Sequence, residues 1–279
     1  MIDALDHLII AVEDLDKAEA NYTKIFGMPP VWRGEHKELG TINSLFNFKN
    51  TYFELLSASG GGLGAALVNH YLEEKGEGLI GVVFGTKDID KATNSLKEGN
   101  FLISDTTDGE GINSKDGEVR KWKNLFLPPE LTRGLFSFII QHTEGTLPSL
   151  GTYSNASINK LDHVVINTND ADGFIKIYRD IFNIRLALDK FVEAWKSRML
   201  FFRLNKTTIE VIEKKDSSDS FDSLWGLSWE VENIEEAHKR LEKEGVEITA
   251  IKKGIKEKTL VATIKSHNHN VPTLLIQHL

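Results

Sequence analysis

The chain has 279 residues, which suits two domains of ordinary size, each large enough to bury a core. Its formal net charge of -8 favours solubility and argues against a partner with a phosphate backbone. There are no cysteines, so disulfides, thiolate metal sites and cysteine nucleophiles are excluded.

The apolar runs bear on the cellular compartment. Asp3 and Asp6 interrupt the first of them, so no secretory signal is predicted. The longest runs are also far shorter than the roughly 20 residues that span a bilayer. We therefore predict a cytoplasmic protein with no membrane and no nucleic-acid partner, present as a monomer or a homodimer.

The first predicted elements are a strand and a helix. Residues 5–12 form a short aliphatic run, typical of a mostly buried strand. Asp14 is a suitable N-cap for a helix over residues 15–26, and Gly27 supplies the usual C-terminal stop. Strands are then predicted around 30–35, 43–48 and 51–57. The unit is therefore β-α-β-β-β.

This unit recurs along the chain. Residues 60–64, rich in glycine, are interpreted as a flexible connection to a second unit. That unit has a strand at 79–84, a helix from Asp88 to Gly99, and strands near 119–126 and 135–142. A linker over 143–159 then predicts a domain boundary, with domains at 1–145 and 157–279. Residues 161–213 repeat the first unit, and residues 225–279 repeat the second.

One histidine and one glutamate recur at equal spacing. Leu-Asp-His occurs at 5–7 and again at 161–163. Glu54 follows His7 by the same number of residues, 47, as Glu210 follows His163. A buried carboxylate is costly without a partner, and a divalent ion held by both side chains would provide one. A buried His–Glu hydrogen bond, or a glutamate at a solvated sheet edge, explains the same pattern. Both interpretations stay open.

Further motifs carry a resemblance to a known family. Residues 36–43 contain His followed by Leu-Gly-Thr-x-Asn, residues 52–55 read Tyr-x-Glu-Leu, and residues 117–122 read Gly-x-x-x-x-Trp. With the repeated units, these motifs resemble the vicinal oxygen chelate superfamily, which includes glyoxalase I, extradiol dioxygenases and bleomycin-resistance proteins. The first half is most similar to the glyoxalase-like-domain branch.

The resemblance implies a fold and a set of site residues. The fold is α+β, with four β-α-β-β-β modules forming two tandem half-barrel domains. Zinc, nickel, cobalt, manganese or iron would be held by residues on the first and fourth strands of the modules. Carried across, the metal ligands are His7, Glu54, Gln141, His163, Glu210 and Gln277. Glu54 and Glu210 are the candidate catalytic bases, and the substrate-binding residues are His36, Asn43, Tyr52 and Trp122.

The second module of each half departs from the family pattern. Gly81 and Gly226 stand where a histidine is expected, and Gln141 and Gln277 stand where a glutamate is expected. An amide cannot serve as a base, although its oxygen is a weak ligand. Because neighbours on a strand face opposite ways, only one of Gln141 and His142 faces the cup. The family register favours Gln141.

Two other histidine patterns keep alternatives open. His36 lies near the cup if the family motif holds, and is otherwise an exposed strand histidine. His267 and His269 have a spacing that fits a metal clip, but polar residues of this kind are also common in ordinary turns.

Two functions follow from these observations. The intact His–Glu pairs favour a metal-dependent lyase, isomerase or dioxygenase of the glyoxalase type, acting on a small molecule with vicinal oxygens. The missing partner ligands favour a metal-free protein that binds or sequesters a small molecule, as bleomycin-resistance proteins do. Because short connections place sequential units side by side, we expect adjacent modules to pair. His7 and His163 would then lie in two separate and incomplete cups.

Overall fold

Each half of the chain forms its own sheet in the computed structural model, which describes residues 1–149, 151, 154–215 and 221–279. The predicted boundary over 143–159 therefore lies partly outside the described residues. The strands of the first half are β1 (Ala4–Ala11), β2 (Trp32–His36), β3 (Thr41–Asn47), β4 (Tyr52–Ala58), β5 (Gly78–Gly85), β6 (Thr107–Asn113), β7 (Val119–Phe126) and β8 (Phe136–Glu144). Those of the second half are β9 (Ile158–Thr168), β10 (Arg185–Val192), β11 (Ser197–Leu204), β12 (Thr207–Glu213), β13 (Ser223–Val231), β14 (Lys252–Lys253), β15 (Thr259–Ile264) and β16 (Thr273–His278).

The two sheets differ in closure. The first is a closed barrel in the order β1-β4-β3-β2-β6-β7-β8-β5. It closes because β2 pairs with β6, with Gly34 opposite Asn113 and Glu35 opposite Ile112. The second sheet has the order β10-β11-β12-β9-β13-β16-β15-β14. The first half is therefore more closed than the expected half-barrel, since strands enclose its interior on all sides.

The pairing of adjacent stretches is confirmed by this strand order. Residues 4–58 pair with residues 78–144 in the first sheet, and residues 158–213 pair with residues 223–278 in the second. His7 and His163 lie on strands of different sheets.

The helices begin and end largely where cap residues predict. They are α1 (Leu15–Phe26), α2 (Leu63–Lys75), α3 (Ile89–Glu98), α4 (Pro129–Thr132), α5 (Ala171–Ile175), which continues as a π-helix over Lys176–Ile181, and α6 (Ile234–Lys243). The side chain of Asp14 accepts from the Lys17 N–H, and Gly27 has a left-handed φ of 69° that ends α1. None of the helices in the described ranges is long and apolar enough to cross a membrane.

Helix α2 was not expected from the sequence. It follows Gly62, which offers no side-chain cap, and its apolar residues do not gather on one face. Val68 nevertheless packs into a hydrophobic cluster inside the barrel, and Leu67 lines the barrel cavity. The helix therefore covers part of the interior, where a flexible connection was expected.

The main hydrophobic core is shared by the two halves. It is one continuous cluster containing buried residues from both sheets, so the expectation of a separate core in each domain is wrong. The ring of Phe26 lies 5.1 Å from that of Trp229, and the ring of Phe84 lies 6.0 Å from that of Tyr178. In each of these contacts a helix of one half packs against a strand of the other half.

Polar contacts also join the halves. Arg240 donates hydrogen bonds to the carbonyls of Lys24 and Ile25 at the C-terminal end of α1. His269 Nδ1 lies 2.7 Å from Glu77 Oε2, and its Nε2 lies 3.1 Å from the amide nitrogen of Asn21. Both ring nitrogens are thus used between the halves. This histidine belongs to an internal contact and does not form a metal clip.

Candidate active site

A buried histidine and glutamate meet inside the barrel. In the parallel pairing of β1 with β4, His7 is opposite Tyr52 and Ile9 is opposite Glu54, so all four side chains share the inner face. His7 Nε2 lies 3.4 Å from Glu54 Oε2. The two residues are 3% and 7% exposed, so bulk water does not screen their interaction.

Asp6 fixes the other side of the His7 ring. Its Oδ1 lies 2.7 Å from His7 Nδ1, and its Oδ2 lies 3.1 Å from His142 Nε2. Burial alone would raise the pKa of Asp6, but the hydrogen bonds from His142 and His7 and their charges hold it well below its usual range. A charged carboxylate accepts hydrogen bonds, so each imidazole donates an N–H to it. In its neutral form, His7 therefore presents the lone pair of Nε2 to Glu54.

Asn43 and His36 extend this network along β3 and β2. The Asn43 amide donates to Glu54 Oε1 at 2.7 Å, and His36 Nε2 lies 3.5 Å from the same amide nitrogen. His36 Nδ1 is 3.0 Å from the hydroxyl of Thr41. Burial lowers the pKa of His36, and the charges of His7 and Arg120 lower it further, although the charge of Glu54 opposes this. His36 is thus a half-buried neutral imidazole rather than an exposed strand residue.

A cavity of about 140 Å³ adjoins these groups. The ring of Tyr52 stacks on that of His7 with centroids 4.4 Å apart, and Trp122 presents an edge-on contact to His36 at 5.8 Å. The rest of the wall is largely apolar and includes Ile9, Leu39, Leu56, Leu67, Phe126, Phe136, Phe138 and Ile140. The arrangement places a few convergent polar groups at one end of an apolar chamber, as in small-molecule sites.

The predicted site residues of the first half divide into two groups. His7, His36, Asn43, Tyr52, Glu54 and Trp122 all line this cavity. Gln141 does not, because its Oε1 accepts the backbone N–H of Ile89 at 2.9 Å, at the start of α3. On β8 the side chains of Phe138 and Ile140 face the barrel interior, and strand alternation places the side chain of His142 on that same face. The expectation that Gln141 faces the cup is wrong.

The glycines at the expected histidine positions leave no space for a ligand side chain. Gly81 is opposite Ile9, and a Cβ there would lie 3.0 Å from Phe136 and 3.2 Å from Ile9. A Cβ on Gly226 would lie 2.7 Å from the carbonyl oxygen of Pro272. Neighbouring residues are therefore packed against these glycines, and neither position has room for a ligand side chain.

Sequence reasoning missed two residues of this site. One is Asp6, whose repetition as Asp162 in the two Leu-Asp-His motifs is a signal that could have been read. The other is Arg120, which is 6% exposed and lines the cavity. It precedes Trp122 by two positions on β7, so strand alternation places both side chains on one face.

Comparison with known proteins agrees with this geometry. Residues 5–182 match a family model described as a glyoxalase-like domain. The chain belongs to the glyoxalase-like domain family. Residues 162–263 separately match the glyoxalase/bleomycin resistance protein/dioxygenase superfamily. The α+β architecture is therefore that of two tandem glyoxalase-like domains. No curated protein sequence matches the chain.

Solved structures share the fold across the whole chain. A mutant of 4-hydroxymandelate synthase from Streptomyces coelicolor has a TM-score of 0.69 and 13% identity, covering 99% of this chain and 92% of that one. The Mn(II)-bound glyoxalase from Novosphingobium aromaticivorans has a TM-score of 0.64 and 14% identity, covering 100% and 83%. A hypothetical protein from Staphylococcus aureus has a TM-score of 0.68 and 13% identity, covering 99% and 100%. At these identities the likeness shows the fold alone.

The second glyoxalase-like domain repeats the pair in a looser form. His163 Nε2 lies 3.8 Å from Glu210 Oε2, and His163 Nδ1 lies 2.9 Å from Asp162. Burial raises the pKa of Glu210, with His163 opposing and Asp162 adding to the rise. Gln277 accepts the N–H of Ile234 at 2.9 Å, as Gln141 accepts that of Ile89. Both side chains of the pair are more exposed than those of His7 and Glu54.

Three side chains of the kinds that bind metal ions also lie close together on the second sheet. Oxygen and nitrogen atoms of Asp162, Glu230 and His278 lie within 4.8 Å of one another. Lys160 Nζ, however, is 2.5 Å from Glu230 Oε2 and already neutralises that carboxylate. We interpret the group as surface ion pairing.

The His7–Glu54 pair fits a divalent ion in its donor atoms. Two ligand atoms that are each about 2.1 Å from one ion lie about 3.0 to 3.4 Å apart, which agrees with the 3.4 Å between His7 Nε2 and Glu54 Oε2. The hydrogen bond from His7 Nδ1 to Asp6 is the kind that orients a metal-binding histidine. Among the described residues, no third His, Cys, Asp or Glu atom joins this pair within 4.8 Å. The protein therefore offers two ligands at this position.

Proposed function

We propose that this protein is a divalent-metal-dependent lyase or isomerase of the glyoxalase type, acting on a small molecule with vicinal oxygens inside the first barrel. The observation that carries the proposal is the 3.4 Å approach of His7 Nε2 to Glu54 Oε2. With Nδ1 donating to Asp6, two lone pairs face one another across that gap, and a cation between them removes the repulsion. The Mn(II) of the glyoxalase with the same fold supports a divalent ion.

The lyase or isomerase reaction is favoured over the dioxygenase reaction by the ligand count. Extradiol chemistry uses two histidines and one carboxylate around iron. The barrel interior offers His7 and Glu54 to an ion, and the expected second histidine position is Gly81, packed against Ile9. Proton transfer by a carboxylate requires no second histidine.

The mechanism assigns a separate task to each side chain. When bound, a divalent ion supplies a Lewis acid that polarises a carbonyl oxygen. Asn43 holds Glu54 Oε1 by a 2.7 Å hydrogen bond, which leaves Oε2 directed toward His7 and the cavity. From there Glu54 would take the proton from the hydroxyl-bearing carbon next to the carbonyl and return it to the carbonyl carbon, while the hydroxyl proton passes to the former carbonyl oxygen. Neutral His36 and Tyr52 border the substrate, and the apolar wall excludes water.

The proposal is tested first by metal binding. Calorimetric titration of chelator-treated protein with zinc, manganese, nickel, cobalt and ferrous ions should detect one site. Substitutions His7→Ala and Glu54→Gln should weaken it by at least about tenfold, since each removes one of two ligands. The matched variants His163→Ala and Glu210→Gln remove the corresponding pair of the second domain and should leave the affinity unchanged. Equal losses in both sets would contradict the assignment to the barrel.

Catalysis is tested without knowing the natural substrate. NMR in D₂O should show metal-dependent exchange of the proton next to the carbonyl in a panel of small α-hydroxy and α-keto carbonyl compounds. Glu54→Gln should abolish this exchange because an amide cannot accept the proton. Ligand binding by metal-free protein with no exchange in any sample would instead support the sequestering function, which the largely apolar wall and the two-ligand donor set favour.

A further inference from the structure

We infer that Arg120 recognises a carboxylate inside the barrel cavity, and that the ligand is a small monocarboxylate with a compact apolar body. Naming that ligand as the substrate rests on the proposed function. The binding itself needs the cavity and Arg120, with no ion. The inference can therefore be tested on metal-free protein.

Arg120 is a buried charge without a counter-ion. Arg120 is 6% exposed and lines the cavity, and its Nε is buried without a hydrogen-bond partner. In the described part of the chain, no carboxylate oxygen lies within 4.0 Å of its guanidinium. The hydrogen bond from Nη2 to His142 Nδ1 is long at 3.4 Å, and the guanidinium also interacts with the Tyr52 hydroxyl, which is a neutral group. A buried arginine is costly to leave unpaired, so an anion from outside the protein fits this position.

The carboxylates in and beside the cavity already have hydrogen-bond partners. Asp6 accepts hydrogen bonds from His7 and His142, and Glu54 accepts one from Asn43 and faces His7. Neither turns toward Arg120. Its positive charge therefore remains available for a ligand, while the two carboxylates belong to the network around His7.

Two aromatic rings contact the guanidinium of Arg120. Its central carbon lies 5.6 Å from the ring centre of Trp32 and 5.5 Å from that of Tyr52. These cation–π contacts hold the guanidinium against the two rings, and its Nε has no hydrogen-bond partner. The Tyr52 ring also stacks on that of His7, so one ring contacts both the guanidinium and the imidazole. A carboxylate held by Arg120 therefore lies in the same cavity as the proposed base.

The ligand class follows from charge and volume. One guanidinium neutralises one negative charge, and its fork matches the two oxygens of a carboxylate, so a monocarboxylate fits better than a dianionic phosphate. A cavity of about 150 Å³ lined by Leu, Ile and Phe binds benzene in another protein. The present cavity is of similar size, about 140 Å³, and its wall includes Trp122, Phe136 and Phe138. A body the size of one six-membered ring therefore fits.

Benzoate and benzamide test the inference because they share a shape and differ in charge. In calorimetric titrations of chelator-treated protein, benzoate should bind about 10- to 100-fold more tightly than benzamide. Phenyl phosphate should bind more weakly than benzoate. The indole N–H resonance of Trp122, assigned with Trp122→Phe, should shift on addition of benzoate and so locate the ligand in the cavity. Equal affinities for benzoate and benzamide would overturn the inference without any variant.

Variants then assign the effect to Arg120. Arg120→Gln should remove the preference for benzoate, and Arg120→Lys should retain part of it because the charge remains. Lys121→Gln is the matched control: it removes a positive charge from the neighbouring position on β7, where Lys121 pairs with Glu144. It should leave the preference intact. Should Arg120→Gln fail to fold, Arg120→Lys and the wild-type comparison still decide the question.

One outcome separates this inference from the metal proposal. Benzoate binding that appears only after metal is added, and is unchanged in Arg120→Lys, would assign the carboxylate to the ion and overturn the role of Arg120. The metal site would then stand. Conversely, benzoate binding through Arg120 in a protein that takes up no ion would support the inference and refute the metal proposal.

Discussion

The side chain of Gln141 caps the helix that begins at Ile89, because its Oε1 accepts the Ile89 N–H at 2.9 Å. Gln277 makes the same bond to Ile234 at 2.9 Å in the second domain. Each helix leaves its first backbone N–H groups without partners inside the helix, and an outward-facing glutamine on the last strand satisfies one of them. Duplication has thus preserved a structural contact. It explains why glutamine stands where the family pattern leads one to expect a glutamate ligand.

Substitution Gln141→Ala should therefore destabilise the protein and leave metal and benzoate binding unchanged. Loss of a helix-capping hydrogen bond costs about 1 kcal/mol, with a range of about 0.5–2. Urea unfolding measures the loss, and calorimetric titration measures both affinities. A weakened metal affinity in a folded Gln141→Ala variant would show that the glutamine contacts the ion after all.

Asp6 should govern metal affinity without contacting the ion. Its carboxylate holds Nδ1 of His7 at 2.7 Å, which directs Nε2 toward Glu54. Removal of such an orienting partner typically weakens metal binding about 10- to 100-fold. We expect that loss in Asp6→Asn, measured by competition with a chromogenic chelator. The control Asp162→Asn changes the matching residue beside His163 and should have no effect on the affinity.

Much of the fold was predictable because local signals and tertiary structure agree. Asp14 and Asp88 cap α1 and α3, and the left-handed Gly27 ends α1, as their residue types predict. Helix α2 was missed because it lacks a cap and an apolar face and depends on contact with the barrel. Barrel closure was missed for a related reason, since it depends on the short pairing of β2 with β6 far apart in the chain.

The site was predictable where a residue type and a strand register coincide. His7 and Glu54 were found because a histidine and a glutamate among aliphatic residues need an explanation, and Trp122 because a motif contains it. Gln141 was misplaced because strand alternation allows two registers that differ by one residue. Arg120 was overlooked because an arginine on a strand is usually exposed. Its burial follows from the packing of Trp32 and Tyr52, which no local pattern reveals.

The stability of the protein should fall in acid partly through His36. Burial lowers the pKa of this histidine from its usual 6.5, and although Glu54 opposes this, His7 and Arg120 act with burial. Below the usual value the unfolded chain binds a proton that the folded protein does not. The free energy of unfolding therefore decreases by up to about 1.4 kcal/mol per pH unit as the pH falls from 6.5 toward the lowered pKa of His36.

The variant His36→Asn isolates this contribution. The other histidines titrate alike in both proteins, so the difference in unfolding free energy between wild type and variant should change as the pH falls from about 7.5 to about 5. The wild type should lose more stability over that interval. Parallel curves for the two proteins would show that His36 titrates at its usual pKa in the folded state.

The shared core predicts that the two glyoxalase-like domains unfold together. Phe26 of α1 packs on Trp229 of the second domain, and Arg240 of α6 donates to the carbonyls of Lys24 and Ile25, which α1 leaves without partners inside the helix. Unfolding of either domain alone would leave this apolar surface and these carbonyls of the other domain in contact with water. Calorimetric melting should therefore give one transition with equal calorimetric and van't Hoff enthalpies.

Substitution of Arg240 tests this coupling directly. Arg240→Ala removes buried hydrogen bonds from a charged donor, each worth about 1.5–3 kcal/mol, and should lower the stability measured by urea by at least that amount. Loss of a contact between independent domains would split the melting curve into two steps. Because the core is continuous, we expect the variant to melt at a lower temperature but still in one step, whether unfolding is followed by tryptophan fluorescence or by circular dichroism. Arg179→Ala is the control, since Arg179 is exposed and pairs with its neighbour Asp180, so its loss should change the stability little. Two separate transitions in the wild type would contradict the shared core, whatever the variants show.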